Sequence, residues 1–184
     1  MSDGVRRIAA FLAALGVFGL DRWSKWIVET RFSANDFNAT KTVIPGFFNI
    51  VRSQNPGVAF GIFAENASQS RTPVLIGLSI LAVVLLAGML WRIDRLDSPS
   101  STGLALIFGG AMGNVFDRVR MGSVTDFLDF YAGTWHWYTF NVADASICIG
   151  AGLLILSMVR SQGRGVDKDR LGKDRPGKDR EARA

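Results

Sequence analysis

Residues 73–91 read PVLIGLSILAVVLLAGMLW, nineteen positions without a charged side chain. A helix rises about 1.5 Å per residue, so roughly 20 apolar residues cross a hydrocarbon core of about 30 Å. The stretch therefore predicts a membrane span. Working outward from it, three more blocks have similar length: about 8–28 (IAAFLAALGVFGL running into DRWSKWIV), about 101–118 and about 140–159. The expected fold is a mainly α membrane protein with four transmembrane helices in one domain, residues 1–160. The Arg6-Arg7 pair followed by an apolar run also fits a secretory leader. However, no A-x-A site precedes Asp21 and apolar residues continue past it, so the segment reads as a retained span.

The segments between the blocks have a different character. Residues 29–72 hold β-like runs (KTVI, FFNIVR, GVAFGIF) separated by Pro-Gly and Asn-Pro-Gly turn signals, and residues 121–139 hold the alternating VTDFLDFY and the aromatic WHWYTF. Together they predict a small β-sheet on the extracytoplasmic face. Lys and Arg set the orientation: Arg6, Arg7, Arg92, Arg95 and the nine basic residues from Arg160 onward fall on one side, which makes both termini cytoplasmic. Trp23, Trp26, Trp91, Trp135, Trp137 and Tyr138 fall near span ends, where amphipathic rings prefer to sit. Residues 161–184, with Lys-Asp-Arg repeated and almost no apolar content, predict a disordered basic tail.

Composition closes off several functions. Of the net charge of +5, most lies in the tail, where no aromatic accompanies it, so nucleic acid is not an expected partner. One Cys excludes an intrachain disulfide, and with one His it leaves no ordinary zinc ligand set, so no metal and no cofactor is expected. Cys148 reads as a buried apolar residue. Gly109, Gly110 and Gly113 lie mid-span with no Lys-Ser/Thr after them, and read as small residues for close helix packing.

The four-span topology brings the polar residues of the spans to one depth. Asp21 and Lys25 lie toward the outer end of the first span, Asn114, Asp117 and Arg118 end the third, and Asn141 and Asp144 open the fourth. Ionisable residues at membrane depth pair, face the bundle interior or mark a functional site. Asp21/Lys25 and Asn114/Arg118 have i,i+4 spacing and read as an ion pair and an interhelical clamp. Asp144 is left over, and Asp126 in GSVTDFLDF is a second acid within reach. Two neighbouring carboxylates do not both ionise readily, so one keeps a proton while the other serves as base. Asp129 competes as the partner, but at three residues from Asp126 it lies on the opposite face of a strand. An ion path through a small transporter and a scaffold with clamping ion pairs remain as other readings. Against the first, the polar groups gather at one end.

Longer motifs carry a resemblance. Asp21-Arg-Trp-Ser-Lys25, Asn55-Pro-Gly-Val-Ala-Phe-Gly61, GGAMGNVFDRVRMGSVTDFLDF from Gly109 to Phe130, and FNVADASICIG from Phe140 to Gly150 resemble the bacterial lipoprotein signal peptidases, or signal peptidase II. The resemblance implies an aspartyl endopeptidase of the bacterial inner membrane. Such an enzyme cleaves prolipoproteins on the N-terminal side of a diacylglyceryl-modified cysteine. It implies a catalytic dyad of Asp126 and Asp144, with Asp21, Lys25, Asn55, Gly57, Asn114, Arg118 and Asn141 as supporting and substrate-binding residues. The expected partners are prolipoprotein substrates and membrane lipids, met by a monomer, with Phe60, Phe63 and the WHWYTF aromatics covering lipid or peptide.

Overall fold

The computed structural model describes residues 3–32, 39–57, 71–92 and 96–173, the last twelve as backbone only. Each apolar block becomes a helix: α1 (Asp3–Arg31), α2 (Arg71–Trp91), α3 (Ser98–Met121) and α4 (Val142–Lys173). At about 1.5 Å per residue even α2, the shortest with 21 residues, is about 32 Å long. Two of the four, over Pro73–Trp91 and Val142–Ser161, are long and apolar enough to cross a membrane by composition alone. The charges at Asp21, Arg22 and Lys25 in α1, and at Asp117, Arg118 and Arg120 in α3, set those two helices apart. Helix α4 continues to Lys173, beyond the expected end at 159 and into the stretch read as tail. From residue 174 on, the tail lies outside the described residues.

Helix α3 is the centre of the bundle and packs against the other three. Its ends follow from its sequence. Asp97 at the N-cap accepts from the Ser100 amide, Pro99 sits in the first turn, and Gly122 closes the C-terminus at φ 73° with its N–H on the Arg118 carbonyl. Its glycines let α1 and α4 approach to backbone contact. A Cβ on Gly110 would lie 2.5 Å from the Ala143 carbonyl oxygen, and one on Gly109 2.5 Å from that of Ala14. Gly103 and Gly150 face each other in the same way. The small-residue reading of Gly109, Gly110 and Gly113 holds. Gly110→Ala is expected to push α4 away from α3 at a cost of about 1–3 kcal/mol, seen as a lower melting temperature in detergent.

At the end of the bundle near Arg6, a small core of Ala10, Ala14, Leu90, Leu104 and Ala105 packs the first three helices together. There the Arg6 guanidinium donates to the Leu96 carbonyl and to Ser101 Oγ. Cys148 is exposed on the outer face of α4 beside Ile149, which corrects its reading as a buried residue. Because α4 carries apolar side chains on nearly all faces, its sequence pattern could not say which face turned inward.

The opposite end carries an antiparallel sheet in the order β1-β2-β3-β4, formed by Thr40–Ile44, Phe48–Asn55, Val124–Ala132 and Trp135–His136. The β1–β2 turn is tight because Gly46 adopts φ 79°. Phe48, Phe130 and Phe140 stack, with centroids 4.7 Å and 5.8 Å apart, and so join two strands to the chain entering α4. The Arg52 guanidinium donates to the Glu29 and Phe32 carbonyls, tying β2 to the C-terminus of α1. Of the GVAFGIF run, residues 58–63, including Phe60 and Phe63, lie outside the described residues.

Candidate active site

Asn141 begins α4 and organises what surrounds it. Its Oδ1 accepts from the Asp144 amide at 2.9 Å, and its own amide donates to Asp144 Oδ2 at 3.2 Å, a reciprocal capping box that fixes Asp144 in the first turn. The macrodipole favours negative charge there. The Nδ2 of Asn141 is still free to reach across to the sheet, donating to Asp126 Oδ1 at 2.7 Å and to Asn114 Oδ1 at 3.2 Å. One buried amide therefore bridges the strand that carries Asp126 and the helix that carries Asp144.

Two more amides complete the ring. Asn55 Nδ2, at the end of β2, donates to Asp126 Oδ2 at 3.0 Å, and Asn114 Nδ2, on α3, donates to Asp144 Oδ1 at 2.8 Å. All four carboxyl oxygens thus accept from an amide, and neither acid is in an ion pair among the described residues. Asp126 is 3% exposed. Burial raises its pKa to about 6; the charge of Asp144 adds to this, and the bonds from Asn55 and Asn141 oppose it.

Below the ring lies a cation with its own acids. Lys25 Nζ, fully buried, is 2.8 Å from Asp21 Oδ2, 2.8 Å from Asp117 Oδ2 and 3.1 Å from Asn114 Oδ1. Asp21 Oδ1 in turn accepts from the Ala143 amide at 3.0 Å, so α1 caps α4. Arg22 pairs with the other oxygen of Asp117. Arg22 also lies 3.8 Å from Glu29, so these two cations are engaged by three acids, and neither forms an ion pair with Asp126 or Asp144.

Seven of the nine residues singled out from the sequence, namely Asp21, Lys25, Asn55, Asn114, Asp126, Asn141 and Asp144, share this continuous network. Gly57 lies at its edge: at φ 86° its amide donates to Asn55 Oδ1 at 2.9 Å, which orients that side chain toward Asp126. A Cβ on Gly57 would lie 2.7 Å from Leu75 Cδ1. Arg118 is not drawn in. Its half-buried side chain makes no hydrogen bond or ion pair among the described residues, and Asn114 is clamped by Lys25, Asn141 and Asp144 instead. Asp117 is the residue that sequence reasoning left without a role. The i,i+4 rule links Asn114 to Arg118, but the partner of Asp117 is on α1 and only the fold supplies it. Asp129 shares no partner with the ring, accepting instead from Asn49 at 2.9 Å.

Residues 13–160 match the family described as signal peptidase (SPase) II. The chain belongs to the signal peptidase II family. A lipoprotein signal peptidase of Solibacter usitatus is 52% identical over 154 residues, covering 84% of this chain and 92% of the relative. One of Nitratidesulfovibrio vulgaris is 41% identical over 154 residues, covering 84% and 90%. A solved bacterial membrane enzyme, 28% identical, superposes with a TM-score of 0.72 over 85% of this chain and 90% of that one. A signal peptidase II is a peptidase and a membrane enzyme, which fits the apolar helices α2 and α4. The matched span contains every residue of the network and stops at the tail.

Proposed function

We propose that this chain is an aspartic endopeptidase that removes the signal peptide from diacylglyceryl-modified prolipoproteins, cleaving just before the lipidated cysteine. The observation that carries the reading is Asn141 donating to Asp126 while it caps the helix turn that holds Asp144. Asp126, buried in the sheet, holds the proton. Asp144, at the helix N-terminus, is the base. Asp144 draws a proton from a water, and the water oxygen attacks the scissile carbonyl. Asp126 donates a hydrogen bond to the developing oxyanion and then passes its proton toward the leaving amine. The amides of Asn55, Asn114 and Asn141 hold both carboxyls in place, so little reorganisation is needed during the reaction. Arg118, unpaired among the described residues, is available to bind a substrate carbonyl.

All four helices are proposed to span the bacterial inner membrane with both termini cytoplasmic, the enzyme acting as a monomer. Supporting this, α1 presents Ile8, Leu12 and Leu15 outward, and α3 presents Phe116 and Val119, although α1 and α3 carry interior charges. Those charges face one another rather than the perimeter, as membrane-depth ions should. The exposed Trp135, Trp137 and Tyr138 beside the sheet suit the headgroup level on the same side as the dyad. A diacylglyceryl substrate would arrive there from within the bilayer.

Two results would test this. With matched prolipoproteins bearing or lacking the diacylglyceryl group, cleavage is expected only of the lipidated form; equal cleavage of both would remove lipid recognition from the account. The pH profile tests the proton assignment. The active free enzyme needs Asp126 protonated and Asp144 ionised, so the alkaline limb of kcat/KM belongs to Asp126 and kcat/KM should fall as pH rises through about 6. The limb in kcat should lie higher, because bound substrate excludes more water from Asp126. A kcat/KM still rising through this range would place the proton elsewhere.

A further inference from the structure

Asp129 and His136 have no part in the chemistry above, yet they form a closed unit farther along the strand that carries Asp126. Asp129 is 5% exposed, and its two oxygens are each taken: Oδ2 accepts from Asn49 Nδ2 at 2.9 Å, and Oδ1 lies 2.8 Å from His136 Nδ1. The imidazole stacks on Tyr131 with centroids 5.1 Å apart and planes 11° from parallel. The Tyr131 hydroxyl accepts from the Gly46 amide in the β1–β2 turn. Asp129 thus joins β2, β3 and β4 through side chains.

What makes this more than sheet packing is where the chain goes after His136. Residues 137–140 continue antiparallel along β3. Trp137 N–H donates to the Phe130 carbonyl at 2.8 Å, Phe140 N–H to the Leu128 carbonyl at 3.2 Å, and Phe127 and Leu128 N–H both to the Phe140 carbonyl. The next residue is Asn141. One strand therefore leads to Asp126, and the segment zipped to it leads directly to Asn141 and Asp144. The register between strand and segment sets the separation of the two acids.

We propose that Asp129 and His136 are positioning residues that lock this register and so hold Asp126 and Asp144 at their working separation. The inference rests on the dyad reading and extends it to a second pair that never touches substrate. The turn at Gly133, φ 61°, sets the register of β3 and β4, and a carboxylate held from both neighbouring strands resists its slipping. The His136 side chain is half exposed, so the lock costs little burial.

The test compares the full-length wild type with His136→Ala, His136→Asn, Asp129→Asn and the His136→Ala/Asp129→Asn double variant, on a lipidated prolipoprotein. The asparagine amide nitrogen can stand where Nδ1 stands and donate to Asp129. His136→Ala is expected to lower kcat about tenfold with KM within about twofold, since misplacement within a catalytic pair costs rate rather than binding. The alkaline limb of kcat/KM should also move to lower pH, because the charge of Asp144 helps to raise Asp126 and that help fades as the acids separate. His136→Asn should recover most of kcat and restore the limb, and the double variant should be no worse than either single one. Loss of kcat with an unmoved limb and no recovery in His136→Asn would reduce the pair to general sheet stability and overturn the proposal. Asp126→Asn, run alongside, separates the two failures. If it is inactive while His136→Ala matches wild type, the lock alone is wrong; if it cleaves normally, the dyad falls and the lock with it.

Discussion

Lys25→Met is expected to destabilise the protein by about 3–5 kcal/mol, the cost of removing one partner from a buried charge cluster. Lys25 is completely buried and is the only cation on Asp21 among the described residues. Methionine fills the same space but leaves Asp21 with a single amide bond from Ala143, and Asp117 with Arg22 and the Thr125 amide. The uncompensated carboxylate must either pay its desolvation or take up a proton. For a domain of this size the loss corresponds to a fall in melting temperature of roughly 6–20 °C. Adding Asp21→Asn to Lys25→Met should recover part of it, because the orphan charge disappears and the asparagine oxygen can still accept from Ala143. An unchanged melting temperature in Lys25→Met, measured in detergent, would mean that the cluster is not what joins α1, α3 and α4.

Much of this arrangement was legible in the chain because apolar blocks and turn signals are local. The four helices and three of the longer strands lie where the blocks, the Pro-Gly signals and the alternation of VTDFLDFY put them. Asp129 and Asp126 have different partners, as expected, although the strand is irregular between them. What was not legible is what depends on rotation and crossing. Spacing within α3 pairs Asn114 with Arg118, but the helix turns Asp117 toward Lys25 and leaves Arg118 outside. Cys148 follows the same logic: on a helix apolar all round, only packing decides which face is buried. The capping box at Asn141 and Asp144 was written in the sequence as N-x-x-D, yet its reach to Asp126 required the sheet. The role of His136 was hidden because its partner is seven residues away across a hairpin, and a lone histidine gives no local signal.

The second large effect concerns the acids themselves. Asp126→Asn and Asp144→Asn should each lower cleavage by roughly 10³-fold or more, because an amide can neither accept a proton from water nor deliver one to the leaving amine. Each keeps the size and one acceptor oxygen of the original side chain, so one of its two bonds from the surrounding amides survives and the other is lost. Stability should not follow activity. Asp126 has a pKa raised above its unfolded value, so its contribution to the fold is fully present below pH about 4 and is lost as pH rises through about 6. At neutral pH its charge opposes folding, and Asp126→Asn removes that charge. Against this stands one lost amide bond, so the variant should stay folded and melt near wild type, which separates a chemical loss from a collapsed site.

The most direct measurement is therefore single-turnover cleavage of a diacylglyceryl-modified prolipoprotein by purified wild type, Asp126→Asn and Asp144→Asn, with melting temperatures recorded on the same samples. The account predicts rapid cleavage by wild type and no detectable cleavage by either variant, with all three folded. Cleavage by a folded Asp126→Asn or Asp144→Asn at a rate near that of wild type would contradict it.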